Sequence, residues 1–88
     1  MKGEYKLEDL PATIERSNLD QGIEESLTSK VENAIASLEK GNEKAAINQL
    51  EAFTNEVEAL KEKKISLEDA KMLTEYVENV IAQISGNS

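Results

Sequence analysis

Eighty-eight residues, 39% apolar and 32% charged, suffice for one small folded domain and are too apolar for a disordered tail. A net charge of −8, spread along the whole chain, repels phosphate backbones and anionic lipid, so neither nucleic acid nor a membrane surface is an expected partner. The chain has no cysteine and no histidine, which excludes disulfides, thiol chemistry and ordinary zinc sites, and no cofactor is expected.

One Phe and two Tyr leave the core to Leu, Ile, Val and Ala. At this size burial only narrowly exceeds the ordering entropy, so caps and well-meshed packing carry weight. Apolar runs reach only three residues, as in Val80-Ile81-Ala82, and none spans a bilayer or serves as a secretory h-region.

In chain order, residues 1–6 read as a leader containing Gly3. Leu7, Leu10 and Ile14 follow at helical spacing, and Pro11, tolerated only in a first turn, puts the helix start near Asp9 or Leu10. Ser17-Asn18 ends this short helix, predicted over 9–16. Asp20 caps the second, predicted over 21–40, with Glu24 and Glu25 near its positive end. Gly22 in its first turn leaves room for another element to approach. Its apolar stripe is Ile23, Leu27, Val31, Ala34, Ile35 and Leu38. Gly41 is the expected left-handed stop and Asn42 the cap of the next helix, so the two helices reverse as an antiparallel hairpin.

Helix three, predicted over 43–63, repeats Ala46, Leu50, Phe53, Val57 and Leu60 in steps of 4, 3, 4 and 3, the seam of a bundle helix. Lys61, Lys63 and Lys64 complement its negative end. Ser66 with Asp69 has the form of a capping box. Helix four, predicted over 67–85, buries Ala70, Leu73, Val77, Val80 or Ile81, and Ile84 before a frayed tail over 86–88. The expected fold class is all-α: one bundle domain over 7–85, three long helices and a short first one, with no repeat, linker or low-complexity tract.

The residues that carry a family resemblance run from Leu7 to Ile84. They are Gly22-Ile23, Ser26-Leu27 and Lys30-Val31; then Gly41-Asn42, Ala45 to Leu50 and Ala52-Phe53; then Val57, Ala59 and Lys64-Ile65-Ser66. In this pattern the chain resembles the FIMAH domain, a helical module of secreted multi-domain bacterial and archaeal proteins, polysaccharide-degrading enzymes and proteases among them. The resemblance implies an extracellular, non-catalytic accessory role beside neighbouring domains of a parent protein, and supplies no ligand. It also implies a Gln and a Gly between helices three and four, where this chain has Leu60-Lys61-Glu62-Lys63, and an aliphatic residue at Thr54. Without that glycine, helix three is expected to run a turn longer.

Candidate sites are few. Opposite the seam of helix three, Asn48, Glu51, Asn55, Glu58 and Glu62 form a polar ridge suited to sugar hydroxyls or a basic or neutral protein partner, against the plainer reading of a solvated helix face. An aromatic platform for sugar would have to be Tyr5 or Tyr76, and Tyr76 is expected half-buried with its hydroxyl in water. Phe53 reads as core rather than pocket lining. Glu24–Glu25 and Glu68–Asp69 are acids at helix starts, not facing catalytic carboxylates. Asn18-x-Asp20-x-Gly22 places its glycine one position early for a calcium loop and has Ser29 where the bidentate Glu belongs.

A rival function comes from Glu25-Ser26-Leu27, which resembles the Asp-Ser-Leu of acyl carrier proteins and would put phosphopantetheine on Ser26. The expected state is a monomer, with self-association through Ile47 and Ile81 at the stripe margins as a further alternative.

Overall fold

The computed structural model describes residues 6–86; Gly3 and Tyr5, most of the leader expected over 1–6 and the last two residues of the tail lie outside that range. A 3₁₀ turn, Leu7–Asp9, leads into α1 (Leu10–Arg16), α2 (Gln21–Glu39), α3 (Glu43–Leu60) and α4 (Leu67–Ile84). These four helices form a small all-α bundle of 34 × 28 × 20 Å. Pro11 stands in the first turn of α1, where its missing N–H goes unneeded. Asn18, at φ +60°, closes α1; asparagine tolerates this left-handed conformation better than most side chains.

The α2–α3 joint is built from local chemistry. Gly41 takes φ +81°, its N–H donates to the Leu38 carbonyl at 2.9 Å, and the Asn42 N–H donates to the Ser37 carbonyl at 2.8 Å. This pair of bonds is the Schellman arrangement that satisfies the last carbonyls of a helix. Asn42 then turns to the next helix, its Oδ1 accepting the Ala45 N–H at 3.1 Å. Stop and start occupy two adjacent residues, so α2 and α3 pack antiparallel along their length.

α3 is the central element, with α2 against one side and α4 against another, while α1 and the 3₁₀ turn rest on α2. Its seam follows from that position: Ala46, Leu50, Phe53 and Val57 are fully enclosed, and Leu60, at the end, is half-buried. They join Leu10, Ile14, Leu27, Val31, Ala34, Ala70, Leu73, Val77 and Val80 in one dry core, with Ile81 half-buried beside it. Ile65 belongs to the same core although it lies between helices.

The α3–α4 joint departs from expectation. α3 stops at Leu60 instead of running on to residue 63. Lys61 (φ −57°, ψ 133°), Glu62 (φ +69°) and the Lys63 N–H donating to the Leu60 carbonyl at 3.0 Å make a type II turn. Lys64 and Ile65 also donate to that carbonyl, and the Glu62 N–H donates back to Ile65 at 2.7 Å. Glu62 thus occupies the left-handed place that glycine fills without strain. The buried Ile65 side chain anchors the bend.

Two smaller expectations are also corrected. A Cβ built at Gly22 would meet only the Asp20 carboxylate, at an ordinary 3.5 Å, so no other element uses the space. At the start of α4, Ser66 Oγ accepts the Asp69 N–H at 3.1 Å, but only this forward half of the capping box is made. Aspartate is one methylene shorter than the Glu that usually reaches back.

Candidate functional site

Four of the five ridge residues share a face: Asn48, Glu51, Asn55 and Glu58 are exposed along α3. Glu62 does not extend the row, because α3 has ended and the type II turn carries it off the helix axis. At this end of the ridge Lys61 Nζ donates to Glu58 Oε1 at 2.9 Å. That hydrogen bond, then the charge of Glu58, raise the Lys61 pKa above its ordinary value against an opposing desolvation, and the charge of Glu62 adds least. The ridge therefore offers two amides and the carboxylate of Glu51, which has no ion pair among the described residues, with Glu58 already engaged.

Tyr76 is half-buried as expected, but its hydroxyl is not merely wet: it donates to the Lys6 carbonyl at 2.7 Å, pinning the start of the described chain to α4. The ring is a tether there and is poorly placed to serve as a sugar platform. Near this tether, Leu7, Ile35, Leu38 and Val80 floor a groove of about 460 Å³, with Lys6 and Gln83 on its rim. A shallower hollow of about 270 Å³ between α1 and α2 is lined by Glu15, Glu24, Glu25 and Glu32. Among the described residues no group of three or more His, Cys, Asp or Glu is arranged to hold a metal ion. No described helix is long and apolar enough to cross a membrane.

The polar constellation with real interhelical geometry includes a residue that no sequence motif marks. Ser26 and Lys30 lie one turn apart on α2, and Glu56 faces them from α3. The Ser26 hydroxyl donates to Glu56 Oε1 at 3.0 Å, while Lys30 Nζ contacts the same oxygen at 2.9 Å and Ser26 Oγ at 3.3 Å. The side chains of Lys30 and Glu56 are 28% and 22% exposed, so the charges are partly desolvated and screened less than a surface pair. One carboxylate oxygen receives both donors, and the hydroxyl is used in both directions. A signal for Glu56 does exist in the hairpin register: counting equal distances outward from Gly41–Asn42 brings residue 26 opposite residue 57, next to Glu56.

Comparison with known proteins adds the family. The FIMAH domain pattern matches residues 7–82, from the 3₁₀ turn to within two residues of the end of α4. The chain belongs to the FIMAH domain family. This is a family of small helical accessory domains and not a known class of enzyme. No curated protein and no solved structure matched the chain. The FIMAH match covers both joints, including the glycine-free second one.

Proposed function

We propose that this FIMAH domain is a non-catalytic accessory module of a secreted multi-domain protein, attached beside its neighbours as a stabiliser and docking element. The observation that carries this reading is the meeting of both ends of the domain. Lys6 and Gln83 rim one groove, and Tyr76 of α4 holds the Lys6 carbonyl. Chain entering and leaving at one end makes the domain project from its neighbours, which suits docking better than service as a 34 Å spacer between them. Family membership is the support for an extracellular setting. The ridge Asn48, Glu51 and Asn55 is the surface offered to a polysaccharide or to a basic or neutral protein, with association that weakens as salt rises where charge contributes.

The carrier alternative fits less well. Ser26 sits in the second turn of α2, half-buried, with its hydroxyl engaged by Glu56 and Lys30, whereas a prosthetic arm needs an exposed hydroxyl. Incubation with a phosphopantetheinyl transferase and coenzyme A is expected to leave the mass of the chain unchanged.

Two measurements test the main reading. The parent protein with this domain deleted is expected to lose thermal stability or substrate retention while keeping its catalytic rate on small substrates. In the intact chain, Asn48→Ala with Asn55→Ala is expected to weaken binding to immobilised polysaccharide or partner at least several-fold. Binding that survives both replacements unchanged removes the ridge; a parent indifferent to the deletion removes the accessory role.

A further inference from the structure

The α3–α4 joint sets local preference against the fold. Leu60-Lys61-Glu62-Lys63-Lys64 contains only strong helix formers, with neither Gly nor Pro. The folded chain nonetheless breaks the helix there and holds Glu62 at φ +69°, where a Cβ crowds the following carbonyl. The other reversal, at Gly41–Asn42, carries no such conflict, because glycine stands at its left-handed position. Beyond the strained turn, α4 packs on α3 through Ala70, Leu73, Val77 and Val80 and is tied to Lys6 by Tyr76.

We propose that α4 exchanges between two copies of this chain. In the exchanged dimer α3 runs on through residues 61–64, Glu62 takes an ordinary helical φ, and each α4 fills the place that the other has left. The partner is a second copy because that place is shaped for this helix: the buried stripe of α4 and the Tyr76–Lys6 bond are re-formed between chains, and of the joint's buried side chains only Ile65, which anchors the bend, changes its surroundings. The left-handed residue is relieved once in each chain, and the turn's bonds to the Leu60 and Ile65 carbonyls are exchanged for helical ones. A short hinge under strain is the situation in which swapping competes with closure.

The test holds the wild-type chain at millimolar concentration just below its melting temperature, cools it, and measures mass by chromatography with light scattering. A dimer is expected that outlives dilution, since separation requires α4 to leave the core. In a dimer mixed from isotope-labelled and unlabelled chains, NMR should show contacts between α3 of one chain and α4 of the other. Glu62→Gly relieves the closed turn and weakens the continuous helix in both chains, lowering the association constant by roughly 100-fold or more. Glu62→Ala keeps the Cβ and the helical preference, and should dimerise at least as well as wild type. Absence of dimer in both wild type and Glu62→Ala overturns the proposal. So does a dimer whose association constant is unaltered in Glu62→Gly, or one lacking α3–α4 contacts between chains, as surface association through Ile47 and Ile81 would produce.

Discussion

Replacing Glu62 with glycine should stabilise the monomer, a gain that follows from backbone conformation alone. An L-residue in the left-handed region costs about 1–2 kcal/mol relative to the right-handed one. Glycine escapes that cost but has more freedom to lose on folding, which returns about 0.4–1 kcal/mol. The side chain contributes little: Glu62 is exposed, and its effect on Lys61 ranks behind those of Glu58. The turn's bonds, Lys63 N–H to Leu60 and Glu62 N–H to Ile65, are backbone bonds that survive the change. The net expectation is a gain of about 0.5–1 kcal/mol, or roughly 4 °C in Tm for a domain this small. Urea unfolding followed by far-UV circular dichroism at low protein concentration measures it as a higher midpoint with unchanged slope. Glu62→Ala is the control, since it removes the carboxylate but retains the Cβ. Equal gains from Ala and Gly, or no gain from Gly, would refute the conformational reasoning.

Other substitutions probe the caps, the core and the interhelical cluster. Gly41→Ala should cost about 1–2 kcal/mol, because Gly41 sits at φ +81° in open space and the penalty is purely conformational. Gly22→Ala, at a helical position with room for a Cβ, should stabilise by about 0.5 kcal/mol; a loss in thermal melts would show that the space is needed after all. Thr74 Oγ1 is buried with no hydrogen-bond partner among the described residues, so Thr74→Val should raise stability by about 1 kcal/mol in urea titrations. A double-mutant cycle of Lys30→Ala and Glu56→Ala should give a coupling energy of about 1 kcal/mol, since the pair is partly buried and shares Ser26. Coupling near zero would mean that the pair is as weak as a solvated one.

Legibility in the sequence is set by periodicity and by chemistry acting over a few residues. The stripes of α2 and α3, the first-turn Pro11, and the Gly41–Asn42 reversal are readable because each depends on neighbours within about one helical turn. Ile65 is not readable as core, since it stands alone between helices with no period to announce it. The tether from Tyr76 to Lys6 spans seventy positions and leaves no local mark. Glu56 lies at the margin of the seam, where polar residues are ordinary; only the register of the hairpin, which sets residues 26–30 against 53–57, brings Ser26 and Lys30 near it. The ridge is legible as far as α3 lasts, and Glu62 falls outside it because the helix ends sooner than local propensity implies.

The two reversals show why propensity misplaces that end. At Gly41 the glycine, the left-handed φ and the asparagine cap all favour stopping, and the helix stops where local chemistry says. At Leu60 every residue onward to Lys64 favours continuing, yet the helix stops. The decisive groups lie further along: Ile65 is 1% exposed, and Leu73, Val77 and Val80 reach the core only if the chain doubles back on α3. Burying one such side chain is worth about 1.5–3 kcal/mol, so three or four of them outweigh a single left-handed glutamate at about 1–2 kcal/mol several times over. Tertiary burial overrides propensity here by a wide margin. Within this joint the strain falls on Glu62, where a glycine would remove it and where an exchanged α4 would release it while Leu73, Val77 and Val80 stay buried.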